Sequence, residues 1–96
     1  MPPAVDLAQF QRVLADTYLD RDAERGVPAT VAWLAEEVGE LAQAVRKGSP
    51  AQQLHELGAV MAWLASLANQ LGLALDAAAD RYAGGCPRCA SIPCGC

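Results

Sequence analysis

Val31-Ala32-Trp33-Leu34-Ala35-Glu36-Glu37-Val38-Gly39-Glu40-Leu41-Ala42-Gln43-Ala44-Val45 holds the clearest periodicity in the chain. Val31, Leu34, Val38, Leu41 and Val45 recur at alternating steps of three and four residues, which lines them along one side of an α-helix. The segment is expected to begin after Thr30. Arg46 and Lys47 suit the negative C-terminal end of such a helix, and Gly48 stops it.

Outward from this segment the chain continues in helices. Ser49-Pro50-Ala51-Gln52 combines a Ser N-cap, a Pro at the first helical position and a Gln placed to complete a capping box. The helix that follows is expected to run to Leu71, with the stripe Leu54, Leu57, Met61, Leu64, Ala68 and Leu71. Before the opening segment, Asp6 caps a helix with Leu7, Phe10, Leu14 and Tyr18 at helical spacing. The charged run Asp20-Arg21-Asp22 with Gly26 is expected to end it, and Pro28 to lie in a loop. A short fourth helix is expected over Leu75 to Tyr82, after which Gly84-Gly85 leads into a Cys-rich tail. No strand-type alternation and no internal repeat is present. The expected fold is all-α, with antiparallel helices of the four-helix-bundle type over residues 1–83 and a separate tail over 84–96.

The composition narrows the function classes. The chain has 96 residues, room for one domain with a modest core, so self-association or a metal staple is expected. Seven Lys+Arg against eleven Asp+Glu give a net charge of −4, which provides no basic face for general nucleic-acid binding. The 53% hydrophobic fraction with 19% charged residues excludes disorder. Met1-Pro2-Pro3-Ala4-Val5-Asp6 lacks the basic and apolar regions of a leader, and the expected location is cytoplasmic. Leu57 to Leu75 is uncharged and about long enough to span a bilayer. Ser66, Asn69 and Gln70 would then face lipid, and Gly58 and Gly72 interrupt the run, so a helix buried between protein partners is the better reading.

The acidic residues of the opening segment are oddly placed. Glu36, Glu37 and Glu40 have no basic residue three or four positions away, and Glu36 and Glu40 repel each other by roughly 0.2–0.5 kcal/mol. The next helix adds Glu56, flanked at the same spacing by Gln52 and Val60. An antiparallel pairing across Gly48-Ser49 places Glu56 about as far from the turn as Glu40. Hard oxygen donors from two facing helices describe a Mg²⁺ or Mn²⁺ site; a solvated acidic face is the plain alternative. His55 lies about 100° round the helix from Glu56 and is a poor ligand for such an ion.

Cys86-x2-Cys89-x4-Cys94-x-Cys96 gathers all four cysteines at the C-terminus. In a reducing compartment such a cluster is read as a metal site, and four thiolates satisfy a structural Zn²⁺. The close step from Cys94 to Cys96 leaves a site shared between subunits, or plain reduced thiols, as alternatives.

The wider context of the glutamates is more specific. Thr30 to Cys96, with V-A-W-L-A-E-E-V-G-E-L-A-Q-A-V-R-K-G and then E-L-G-A-V-M-A-W-L-A-S-L-A-N, resembles the MazG-like nucleotide pyrophosphohydrolases. The resemblance covers about two thirds of the chain. It implies an all-α fold, homodimers or homotetramers, and Mg²⁺-dependent cleavage of nucleoside triphosphates to monophosphate and pyrophosphate. Carried onto this sequence, Glu37, Glu40 and Glu56 match metal ligands, and Glu36 matches a glutamate that orients or deprotonates water. The family pattern E-x-x-D departs at its last position, where this chain has Ala59. Two readings follow: an enzyme working with three carboxylates, or an inactive relative that binds nucleotide or a protein partner. Trp33 and Trp63 can stack on a base or pack in the core, with the core favoured. Asn69, Arg81 and Lys47 are candidate contacts to phosphate or base, which capping and solvation explain equally well.

Overall fold

The computed structural model describes residues 5–96. The expectation about a leader at Met1 to Ala4 lies outside the described residues. Four helices follow in order: α1 (Leu7–Arg25), α2 (Val27–Lys47), α3 (Pro50–Leu71) and α4 (Leu75–Asp80), with no strand among the described residues.

Local chemistry sets the boundaries. Asp6 and Gln9 form a reciprocal capping box at α1, with Gln9 N–H donating to Asp6 Oδ1 at 2.8 Å. The charged run at Asp20 does not end α1. Asp22 is only 1% exposed and pairs one turn on with Arg25, Nη1 to Oδ1 at 2.8 Å, so the run continues the helix to Arg25. Gly26, at φ 84°, then makes the break, a backbone setting that other residues rarely adopt. Pro28 is not in a loop. It sits in the first turn of α2, where the N–H it lacks would have no helical partner, so α2 starts about a turn earlier than its periodicity suggests.

The hairpin between α2 and α3 fixes the register of the acidic residues. Ser49 Oγ accepts from Gln52 N–H, and Gln52 Oε1 accepts from Ser49 N–H at 2.7 Å. A Cβ at Gly48 would meet Ala44 O at 2.7 Å and Gln52 Oε1 at 2.9 Å, so only glycine lets the chain turn this closely. α3 ends at Gly72, where Leu73 N–H donates back to Ala68 O at 3.0 Å. α4 stops at Asp80, short of the expected Tyr82, and residues 81–84 form turns.

α3 is the central helix: α2 pairs with it most extensively and α1 lies along it, while α4 touches α1. The seam is built of small side chains, with Ala44, Ala65, Ala68 and Leu14 buried beside Ser66 and Thr30. Thr30 Oγ1 donates to Gly26 O at 2.9 Å and accepts from Gln70 Nε2 at 2.7 Å, a polar clasp between α2 and α3. Gln11 ties α1 to the α3–α4 connection, donating to Leu73 O at 2.7 Å and accepting from Leu75 N–H at 2.8 Å.

Much of the apolar surface lies outside this seam. Val31, Val38 and Val45 of α2 and Leu54, Leu57, Met61, Leu64 and Leu71 of α3 are 43–72% exposed. The accessible surface is 6915 Å², whereas a compact monomer of this mass shows about 5200 Å². No helix among the described residues is long and apolar enough to cross a membrane, and the uncharged run from Leu57 is divided by the end of α3.

Candidate functional site

The α2–α3 hairpin brings the acidic residues together. Glu37 and Glu40 lie one turn apart on α2, and Glu56 reaches them from α3. One carboxylate oxygen from each lies within 4.8 Å of the other two. Glu37 and Glu56 are half-buried, while Glu40 is exposed. Glu56 Oε2 is buried without any hydrogen-bond partner. An orphaned anionic oxygen beside two further carboxylates is costly unless a cation or a proton joins them. Glu37 registers this: burial, and then the charges of Glu40 and Glu56, push its carboxyl above the ordinary value of 4.5.

The donor set fits a hard divalent ion. Oxygens held at about 2.1 Å in an octahedral Mg²⁺ shell lie about 3.0–4.2 Å apart, a spacing three acidic oxygens in this cluster can meet with small rotamer changes. Zinc prefers nitrogen and sulfur, and neither is present here. Ala59, half-buried one turn beyond Glu56, contributes no oxygen.

A groove of about 480 Å³ opens beside the carboxylates, lined by Glu40, Gln43, Lys47, Gln52 and Glu56. Lys47, at the C-terminal end of α2, is the cation on its wall. Glu36 is exposed and stands outside the group of three, one position before Glu37 on the same helix.

The remaining candidates lie elsewhere. Trp33 and Trp63 stack face to face, with centroids 5.8 Å apart and planes at 13°, joining α2 to α3. Trp33 is 46% exposed, so the favoured core placement does not hold for it within one chain. The Arg25 guanidinium lies 4.7 Å from the Trp63 centroid. Asn69 donates to Gln11 O at 3.2 Å, which commits its amide to the α1–α3 contact. Arg81 is exposed and sits over the ring of Tyr82 at 5.2 Å. His55 is exposed and takes no part in the cluster.

Sequence reasoning missed Asp22. Its Oδ2 is buried without a partner at a cavity of about 200 Å³ lined by Leu14, Tyr18, Arg25 and Trp63. An Asp in a charged run carries no signal of burial; only the Arg25 one turn later hinted at a helical pair.

Two antiparallel helices presenting three convergent glutamates beside an open groove define an all-α protein with an acidic cluster at its α2–α3 hairpin. The sequence profile of the MazG nucleotide pyrophosphohydrolase domain matches residues 25–84, more than half of the chain, and the chain belongs to that family. The match runs from the last residue of α1 through α4 and leaves the four cysteines outside. A comparison with curated proteins finds none that matches.

Proposed function

We propose that this protein hydrolyses nucleoside or deoxynucleoside triphosphates to the monophosphate and pyrophosphate, with Mg²⁺ or Mn²⁺ held by Glu37, Glu40 and Glu56. The observation that carries this reading is the convergence of Glu37, Glu40 and Glu56 across the hairpin, with one oxygen of Glu56 buried and unpartnered. When bound, the divalent ion offsets triphosphate charge and lowers the pKa of the attacking water. Glu36 accepts the proton of that water, whose oxygen breaks the anhydride bond between the α and β phosphates. Lys47 on the groove wall pairs with a phosphate oxygen. Trp33, 46% exposed, is the ring offered to the base, with Trp63 and Arg81 as further contacts, while the Asn69 amide stays with Gln11. Two or four copies assemble through the exposed apolar faces of α2 and α3, and the chain works in the cytoplasm as a helical domain (1–83) with a tail (84–96).

The second reading is an inactive relative that binds nucleotide or a protein partner, and Ala59 is what favours it. Purified protein and Ala59→Asp are each incubated with a panel of triphosphates and Mg²⁺ or Mn²⁺. Pyrophosphate release by the unaltered chain supports the enzyme. Release by Ala59→Asp alone supports the inactive relative, and release by neither removes the metal-site assignment.

A further inference from the structure

The C-terminal tail beyond α4 has no hydrophobic reason to hold a shape. Residues 84–96 contain neither helix nor strand, and every side chain there is exposed or half-buried. Yet the segment folds back on itself. Cys86 N–H donates to Ser91 O at 3.1 Å, and Ala90 N–H donates to Cys86 O at 2.7 Å, closing a tight loop around the first cysteine pair. Ala90 takes a left-handed setting at φ 57°, which a residue with a Cβ rarely adopts.

The loop brings four sulfurs to one point. The sulfurs of Cys86, Cys89, Cys94 and Cys96 all lie within 4.8 Å of one another. Cys86 and Cys96 are 3.8 Å apart, Cys94 and Cys96 3.5 Å. Four Zn–S bonds of about 2.3 Å in a tetrahedron put neighbouring sulfurs about 3.8 Å apart. All four cysteines are free thiols, so the convergence is not the product of a disulfide. Backbone donors surround the cluster. Gly95 N–H points at Cys89 Sγ from 3.4 Å, and the N–H groups of Arg88 and Cys89 face the Cys86 sulfur. Such N–H groups stabilise the negative sulfur of a metal-bound thiolate.

We infer that Cys86, Cys89, Cys94 and Cys96 of a single chain form a closed, structural Zn²⁺ site that holds the tail in this loop. Soft thiolates select zinc over the hard ion assigned to the glutamates. Four protein ligands leave no open coordination position, so the site takes no part in hydrolysis. Convergence of all four sulfurs within one chain removes the need for a partner's cysteine. The four cysteines lie outside the stretch shared with the family domain, so this site is independent of the carboxylate one.

The full-length protein, purified with its thiols kept reduced, is analysed for metals by mass spectrometry. One zinc per chain is expected, with Cys86→Ser/Cys94→Ser losing it while retaining the helical circular dichroism and pyrophosphate release of the unaltered chain. Co²⁺ exchanged into the site is expected to give the intense visible absorption of a tetrahedral thiolate complex. A zinc content below about a tenth per chain, iron in its place, or full zinc retained in the double variant overturns the proposal. If the variant loses its helical signal as well as zinc, chelation of the unaltered chain decides. Loss of zinc with the helices intact supports a site confined to the tail, and unfolding of the helices overturns it.

Discussion

Glu37 sits where burial and two neighbouring carboxylates all disfavour its charge, and the consequence for stability has a definite sign. A carboxyl whose pKa rises on folding binds its proton more tightly in the native state, so stability falls as pH climbs from 4.5 through the raised value. In the presence of a chelator the melting temperature is expected to drop over that interval, and Glu37→Gln to flatten the drop. Mg²⁺ at neutral pH is expected to raise the melting temperature of the unaltered protein but not of Glu37→Gln. A melting temperature that ignores both pH and Mg²⁺ would refute the clustering of these charges. Glu56→Gln is expected to lower any pyrophosphate release by at least about 100-fold, since losing even a supporting partner of a metal ligand costs about 10–100-fold. Among the cysteines, hydrogen bonds from the Gly95 and Ser91 backbone lower Cys89 to about 6, whereas its thiol neighbours, Cys94 foremost, push Cys96 above 9.0. At this scale the sequence is informative where spacing alone decides: E-E-x-x-E puts Glu37 and Glu40 on one face whatever surrounds them. It is silent on Asp22 and on the exposure of Trp33, because both depend on which helix arrives opposite.

The hairpin of α2 and α3 turns these residues into a site, and Gly48 is its pivot. A side chain there meets Ala44 O and Gln52 Oε1 at once, so Gly48→Val is expected to destabilise the protein by about 1–3 kcal/mol in urea denaturation. The same variant is expected to weaken Mg²⁺ binding without touching a ligand, because Glu40 and Glu56 lie on opposite arms. Unchanged Mg²⁺ affinity would show that the hairpin does not set their spacing. The far end of the pair is held by the Thr30 hydroxyl between Gly26 O and Gln70 Nε2. Capping boxes and terminal glycines are local devices, which is why both ends of α3 are legible in the amino-acid sequence alone. The start of α2 is not. Pro28 is read from the sequence as a loop residue but takes a first-turn position, and what decides is Gly26, whose left-handed break lets α1 continue to Arg25 and α2 begin at once.

The molecule as a whole is less closed than its composition would allow. Its radius of gyration is 15.4 Å, against about 12 Å for a compact domain of this length. The apolar stripes read from the sequence are real, but most of their large residues face away from the small-residue seam that joins the three long helices. Periodicity identifies which face of a helix is apolar; it does not say whether this chain or another covers it. α4, with six residues, is too short to serve as the fourth long member of a bundle. The outward stripes of α2 and α3 are therefore the faces through which the proposed second copy would complete a four-helix layer. Sedimentation is expected to give a particle of at least twice 10.0 kDa. Leu64, 43% exposed on α3, tests the face without entering the carboxylate group. Leu64→Glu is expected to shift the protein toward monomer and to lower its melting temperature in a concentration-dependent way, because a charge placed in an apolar contact is costly only when a partner desolvates it. An unaltered chain that sediments as a monomer at all concentrations, with Leu64→Glu as stable as its parent, would mean that these stripes stay in water and that the bundle is not completed by self-association.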